Sequence, residues 1–543
     1  MALDFLKPNG PTLEGQQPFR WKHQKWVLLY CIFFVLGAVL YGYDGTYFTG
    51  IVAMPAWLRH FGDKTSALTG EPDIKSSTLS LLSSIVQAGE LIGSLSAGLI
   101  GDYTGRKGGL VAAGILVSVG AIIQMSTLTN VNFWTGGRFV LGAGVGVISN
   151  CVPLYLSEVA PLQIRAIVVA NWQFMLAIGQ VIGACVAQGT HTIDNSASWR
   201  IPVGLNLVIP AIFFAFIWAI PESSRWYVSK DRDDQARKAL VKTYRSDPDF
   251  DVEHSLKEMQ QDRQRHRDEA GGSSWSSLFT NPIERRKLRS AFGILAMQQI
   301  GGVQFIFSYA TVLAKNLQLA NPFLITIIID IIEVVGVIIG FFLVERVGRK
   351  PLLLWCTAGE VVSLIIVGGM GSGPMLEPTV PPPAYGQTGI AFICVYVLLF
   401  NMSWGPLAWA VATEMCPGPN RSRIMGVATA AFWLVAWAVT FTLPYLYNYD
   451  EAGLGLKIGY IYAALCFVSA MFVWLCIGET KGKSLETINQ LFQREIPSRE
   501  WVKYGDELGQ AVEQEKEQAI EETEKKGVTD AAFEERVEYS SPA

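Results

Sequence analysis

Residues 137–165 read GRFVLGAGVGVISNCVPLYLSEVAPLQIR. An arginine, Arg138, is embedded in apolar sequence; three glycines spaced by two (Gly142, Gly144, Gly146) follow it, and Glu158 and Arg165 end the run. Small residues let helix backbones approach closely in a bilayer, where no hydrophobic drive pulls helices together. A charge at that depth costs ~2.5–3.5 kcal/mol even on mild insertion scales, so Arg138 needs a partner and a task.

Working outward, the chain has 543 residues, half of them apolar, with 17% charged and a mean hydropathy of +0.30. A soluble protein would carry about 25% charged residues. A net charge of −4 without a basic run excludes nucleic acid as a partner. The eight cysteines show no CxxC spacing, which speaks against a disulfide framework or a zinc site. The polar N-terminus up to Lys25 and the lack of a small-residue cleavage site predict that the first apolar run stays as an anchor.

A spanning helix needs about 20 mostly apolar residues. Six such runs precede the middle of the chain (26–43, 79–100, 110–125, 133–156, 167–188, 201–220) and six follow (291–313, 323–344, 352–369, 390–411, 424–446, 458–477). Lys and Arg concentrate in every second loop, as at Arg106-Lys107, Arg165, Arg349-Lys350 and Arg421. This alternation predicts both termini on the cytoplasmic side. The expected organisation is a tail at 1–25, a six-helix half at 26–221, a cytoplasmic loop with short helices at 222–289, a second half at 290–478 and an acidic tail at 479–543.

An internal repeat is legible. GDYTGRKG (101–108) returns as VERVGRKP (344–351), SEVAPLQIR (157–165) as TEMCPGPNR (413–421), and PESSRWYV (221–228) as GETKGKSLE (478–486). Three motifs in one order imply two pseudo-symmetric halves. The fold class is therefore an all-α membrane protein with twelve transmembrane helices.

These motifs resemble the signature of the sugar porters of the major facilitator superfamily, particularly fungal proton-coupled symporters, over roughly Trp26–Glu486. Ser224 before Arg225, and Gly478 in place of proline, depart mildly from that pattern. The resemblance implies that Asp102, Arg106, Glu158, Arg165, Glu222, Arg225, Glu345, Arg349, Glu414, Arg421 and Glu479 form a cytoplasmic gate that bridges the halves when the carrier faces outward. Such ion pairs bias a two-state equilibrium.

The resemblance also implies a proton-coupling pair. Asp44 ends the first run in LYGYDGTYFTG, and in proton-coupled sugar porters an aspartate in this setting pairs with the fourth-helix arginine, here Arg138. Burial drives such an aspartate toward neutrality and the arginine drives it toward ionisation, so a conformational change can move its proton. A neutral polyol calls for amides, which both donate and accept. Gln173 and Gln180 are seven apart and share a helix face; Gln298, Gln299 and Gln304 lie in the seventh run. Trp409, after the helix-breaking Gly405-Pro406, and Trp433 are expected to stack on the sugar.

Asp330 and Glu333 are a departure: Glu333 is expected to contact the substrate, at a position where the family usually has asparagine. At i, i+3 they share a face, and two carboxylates this close resist joint ionisation, which makes Asp330 a possible second acidic group. Phe432 stands where some relatives are polar. Glu90 and Glu360 read as structural.

The expected activity is proton-coupled import of a hexose or pentose, without a cofactor other than the proton as coupling ion. The carrier is expected to act as a monomer in the plasma membrane, with a carbohydrate substrate and the lipid bilayer as its partners. Import of a sugar acid or related anion such as galacturonate or quinate stays open, as does a non-transporting sugar sensor. An enzyme is the weakest reading: no nucleophile with its base, metal cluster or phosphate loop is legible.

Overall fold

The computed structural model describes residues 21–505 apart from 66–69, 71, 128, 162–163, 249, 271–274, 318, 320, 374–382, 419 and 449. Most of both tails and of the proline-rich loop at 373–383 therefore lie outside the described residues. Among the described residues, eleven helices are long and apolar enough to cross a membrane. The longest, Ser76–Ser126, is two spans merged across Gly105, where φ is 84° and ψ 177°.

The spans are α1 (Lys25–Ala53), α2 (76–104) and α3 (106–126), α4 (Val131–Val159), α5 (Arg165–Thr190) and α6 (Ala197–Ala219). The second half holds α7 (Pro282–Asn316), α8 (Pro322–Val347), α9 (Arg349–Met370), α10 (Ala384–Glu414), α11 (Arg421–Tyr447) and α12 (Gly455–Cys476). The architecture is the major facilitator fold, two six-helix halves in a multi-pass membrane protein. Large apolar side chains such as Ile32, Leu99, Ile122, Trp218, Trp355 and Phe467 stand exposed on its perimeter, as lipid-facing positions must.

The glycine triad does what its spacing suggests. A Cβ on Gly142 would fall on the carbonyl of Val86, and one on Gly146 on the carbonyl of Glu90, both in α2; Gly144 turns the other way, onto Val117 of α3. Two helices thus clasp α4 at backbone distance. Gly142→Val is expected to force α2 and α4 apart and to lose folded, detergent-extractable protein, because overpacking costs about 1–3 kcal/mol or more. Unchanged yield and melting temperature of the purified variant would contradict this contact.

The two halves meet along α2–α11, α5–α8 and α1 with the second part of α7. At the face opposite the repeated motifs, Asn448 donates to Ser76 at 3.0 Å and Lys315 reaches the Ala53 carbonyl at 3.5 Å. There Ser80 also donates to the Phe441 carbonyl, Lys64 pairs with Asp450, and the His191 and Phe323 rings stack at 4.4 Å.

Two broken helices mark mid-depth. α7 is interrupted at Gly301-Gly302 between Pro282–Ile300 and Val303–Asn316. α10 is interrupted at Ser403, whose φ and ψ are −132° and −80°, and restarts at Trp404. The sequence suggested Gly405-Pro406 as the breaker. The kink falls before it because Pro406 has no N–H to return to the preceding turn. α7 also begins at Pro282, well before the apolar run at 291. Asn281 caps it from Ile283 N at 2.9 Å, and Lys287 is buried on Glu284, the Pro417 carbonyl and Asn489, each at 2.9 Å.

Between the halves, the helices Ser224–Ser229, Asp233–Thr243 and Val252–Ala270 share a small core of Val228, Ala236, Leu240 and Leu256. After α12, the helix Leu485–Gln493 leads to Trp501, whose ring lies where a Gly478 side chain would be. That contact explains glycine at 478: proline there would collide with the indole.

Candidate functional site

Asp44 of α1 and Arg138 of α4 are 2% and 3% exposed, and Nη1 lies 3.9 Å from Oδ1. The arginine is held from other sides. Its Nε donates to the Leu82 carbonyl at 3.1 Å, Nη1 makes a long 3.5 Å contact with the Tyr47 hydroxyl, and the guanidinium sits 3.7 Å from the centroid of the Phe48 ring. Asp44 Oδ1 has no hydrogen-bond partner among the described residues. The pair is thus a contact of charges without a hydrogen bond between them, and a proton can join Oδ1 without breaking one. Glu90 of α2 is 4% exposed and within electrostatic reach of both, a neighbour that the sequence reading set aside.

The amides gather around the two helix breaks. Gln298 Nε2 donates to the carbonyls of Trp404 at 2.8 Å and Gly405 at 3.3 Å, which leaves its buried Oε1 unpartnered. Gln304 donates to Gln299 at 3.0 Å and accepts from Ser308 at 3.3 Å. From the other half, the Gln173 amide nitrogen lies 3.7 Å from the Cβ position of Gly405, which is also 3.0 Å from Asn401 Oδ1. Asn401 is 1% exposed and that oxygen has no partner. It escaped the sequence reading, although an asparagine deep in an apolar run just ahead of a helix break was the available signal.

Gln180 crosses between the halves. With its amide nitrogen turned toward α8 it donates to both Glu333 oxygens, at 2.8 and 2.5 Å. Asp330, one turn away, is 1% exposed; its Oδ2 has no partner, and Cys185 of α5 is its charged-range neighbour.

The aromatics form one band. Trp409 lies 5.1 Å from Phe432, Phe432 is edge-on to Trp433 at 4.8 Å, and Tyr41 of α1 bridges Trp433 at 6.1 Å and Trp172 at 6.0 Å. Phe432 therefore extends an aromatic wall where a polar group was the alternative. Tyr41 also lies within electrostatic reach of Asp44, Glu90 and Glu333; neither it nor Trp172 was singled out from sequence.

At the motif face the acid–arginine pairs run within each half. Arg106 holds Glu158 through two hydrogen bonds, 2.7 and 3.0 Å, and Arg349 lies 3.6 Å from Glu414. Asp102, Arg225 and Arg421 are exposed, Arg165 Nε donates to the Ala160 carbonyl at 3.3 Å, and the Glu345 side chain lies outside the description.

Glu222 and Glu479 do something the gate reading did not include. Glu222 accepts from the backbone N–H of Arg106, Lys107 and Ser223 at 3.0, 3.0 and 2.9 Å. Glu479 accepts from those of Arg349, Lys350 and Lys481 at 3.1, 3.1 and 2.8 Å. Each carboxylate caps the start of α3 or α9 beside a glycine of positive φ, Gly105 at 84° or Gly348 at 103°. The repeated motif is thus a repeated helix cap, favoured also by the helix dipole. Burial pushes the Glu222 carboxyl up from its ordinary range, and the three N–H groups act to lower it. Glu222→Ala is expected to cost about 1.5–3 kcal/mol, the range for a charged hydrogen bond, and to lower the melting temperature in detergent. No shift would refute the cap.

Residues 30–492 match the model of the family described as "Sugar (and other) transporter". The chain belongs to this family. It is 33% identical to the major facilitator-type transporter ecdD of Aspergillus rugulosus, over 93% of this chain and 92% of the relative. Identity to the probable glucose transporter rco-3 of Neurospora crassa is 30%, over 85% and 78%. With the low-affinity glucose transporter HXT1 of Saccharomyces cerevisiae it is 28%, over 88% and 84%. The inward-open structure of the xylose transporter XylE from E. coli shares the fold, with a TM-score of 0.69 at 23% identity, over 86% of this chain and 99% of that one. The protein is thus a major facilitator transporter of the sugar porter family and not an enzyme.

Proposed function

We propose that this sugar porter imports a neutral monosaccharide, a hexose or pentose, together with a proton. The substrate binds at mid-depth between Gln173 and Gln180 of one half and Gln298, Gln299, Gln304 and Asn401 of the other, against the aromatic band of Trp409 and Trp433. Asp44 carries the proton. The observation that carries this reading is the contact of Asp44 with Arg138 at 3.9 Å, both buried and Oδ1 of the carboxylate without a hydrogen bond. Names of relatives support the sugar: two of them are called glucose transporters.

With the motif face taken as cytoplasmic, the contacts at the opposite face close the outside, and the pairing of Arg106 and Arg349 within their own halves leaves the inside unlatched. The described state is then inward-facing, and the same arginines meet the other half's acids when the carrier turns outward. The cavity disfavours a free anion. Arg138 is its buried cation among the described residues, already beside Asp44, and Glu333 brings a further carboxyl group beside Gln180.

Uptake of radiolabelled neutral sugars and sugar acids into a host without its own carriers, with and without a protonophore, tests this. Accumulation of a neutral sugar that the protonophore abolishes is expected. Accumulation of a sugar acid alone would replace the substrate assignment, and indifference to the protonophore would remove the coupling.

A further inference from the structure

The start of α7 carries a charged surface that transport leaves without work. Arg285, Arg286 and Arg289 surround a cleft of 280 Å³ whose other wall, formed by Phe492 and Glu495, belongs to the segment after α12. Arg286 is committed to the protein: Nη2 donates to the Ile496 carbonyl at 2.5 Å and to Ser498 Oγ at 3.2 Å, and its guanidinium lies 5.3 Å from the Phe492 ring centroid. Arg285 and Arg289 are exposed, and among the described residues their guanidinium groups have no ion pair or hydrogen bond. They stand at i and i+4, where like charges repel, and Arg289 acts on Arg286 as well. Glu495 is the acid that faces three cations.

The cleft sits where polar surface gives way to lipid. Phe292, one turn along α7, is 44% exposed, and Trp474 and Leu475 at the end of α12 are 46% and 42% exposed. Arg499 lies 4.2 Å from the Trp474 ring centroid. Tryptophan and arginine at a helix end are the furniture of the headgroup level. A phosphate diffusing freely would be held there only by exposed charge, which salt screens. A phosphate tethered to acyl chains is held by the apolar surface too.

We propose that this cleft binds the phosphate of an anionic phospholipid, with Arg285 and Arg289 as its ligands and the acyl chains on the lipid-facing surface that begins at Phe292. The lipid then ties α7 to the segment after α12. The site is independent of which solute is carried.

Native mass spectrometry of the purified full chain tests it, with phosphatidic acid and phosphatidylcholine of the same acyl chains as probes. The wild type is expected to retain phosphatidic acid in preference, and Arg285→Gln/Arg289→Gln to lose about fivefold in retention per arginine. Lys238→Gln/Lys242→Gln, on an exposed basic helix between the halves, should change nothing. Glu495→Gln should retain more phosphatidic acid than the wild type, a gain that a folding defect cannot mimic. Equal retention by the wild type and the Arg285/Arg289 variant, no preference over phosphatidylcholine, or no gain in Glu495→Gln would overturn the site. Displacement of the lipid by millimolar inorganic phosphate would overturn the lipid and leave a free-anion site.

Discussion

Asp44→Asn is expected to abolish uphill accumulation of substrate while leaving exchange of substrate across the membrane partly intact. The size of the effect follows from the driving force. One inward charge at 100 mV yields about 2.3 kcal/mol, and one pH unit adds about 1.4 kcal/mol. Together they sustain an accumulation of several hundredfold, on the order of tenfold per 1.4 kcal/mol. Asparagine keeps the shape of the side chain and cannot give up a proton to the inside, so the ratio falls toward one. Exchange survives because the amides that hold the sugar are untouched. Counterflow of labelled sugar in vesicles separates the two processes. Wild-type accumulation in this variant would remove Asp44 from the coupling, and loss of exchange as well would make its role structural.

The second large effect is expected at Gln298. Its amide nitrogen is fixed on the α10 carbonyls at 2.8 and 3.3 Å, so its Oε1, buried and unpartnered, is oriented as an acceptor for a substrate hydroxyl. Gln298→Leu removes that acceptor and leaves the hydroxyl buried without a partner. An unsatisfied buried group costs about 1–3 kcal/mol, so uptake efficiency should fall roughly 5–150-fold, mainly through KM. The thermal stability of the purified variant distinguishes the roles. A lower melting temperature with an unchanged KM would make Gln298 a pin for the broken α10 helix and nothing more.

Much of the architecture was legible because it rests on patterns that the bilayer enforces. Runs of apolar residues long enough to span, basic residues in every second loop and three motifs repeated in order lead to twelve spans in two halves. The contact of Asp44 with Arg138 was also legible: an ionisable group in an apolar run demands a partner, and the family resemblance names which one. The hidden parts depend on backbone. Glu222 and Glu479 look like gate acids in sequence, yet their partners are N–H groups that every residue carries. The break at Ser403, not at Gly405-Pro406, follows from which turn lacks a donor. Tyr41, Trp172 and Asn401 reach the site only because α1, α5 and α10 converge, and residues so far apart in the chain leave no local signature. The close approach of Gln180 to Glu333 likewise joins two halves that no motif connects.

Sugar and proton are expected to move together through Asp44. Protein reconstituted into liposomes with a pH-sensitive dye inside, without a membrane potential, tests it most directly when the transported sugar is added outside. Acidification of the lumen that depends on the sugar, and is absent in Asp44→Asn, is the expected result. Sugar entry into wild-type liposomes without acidification would contradict it.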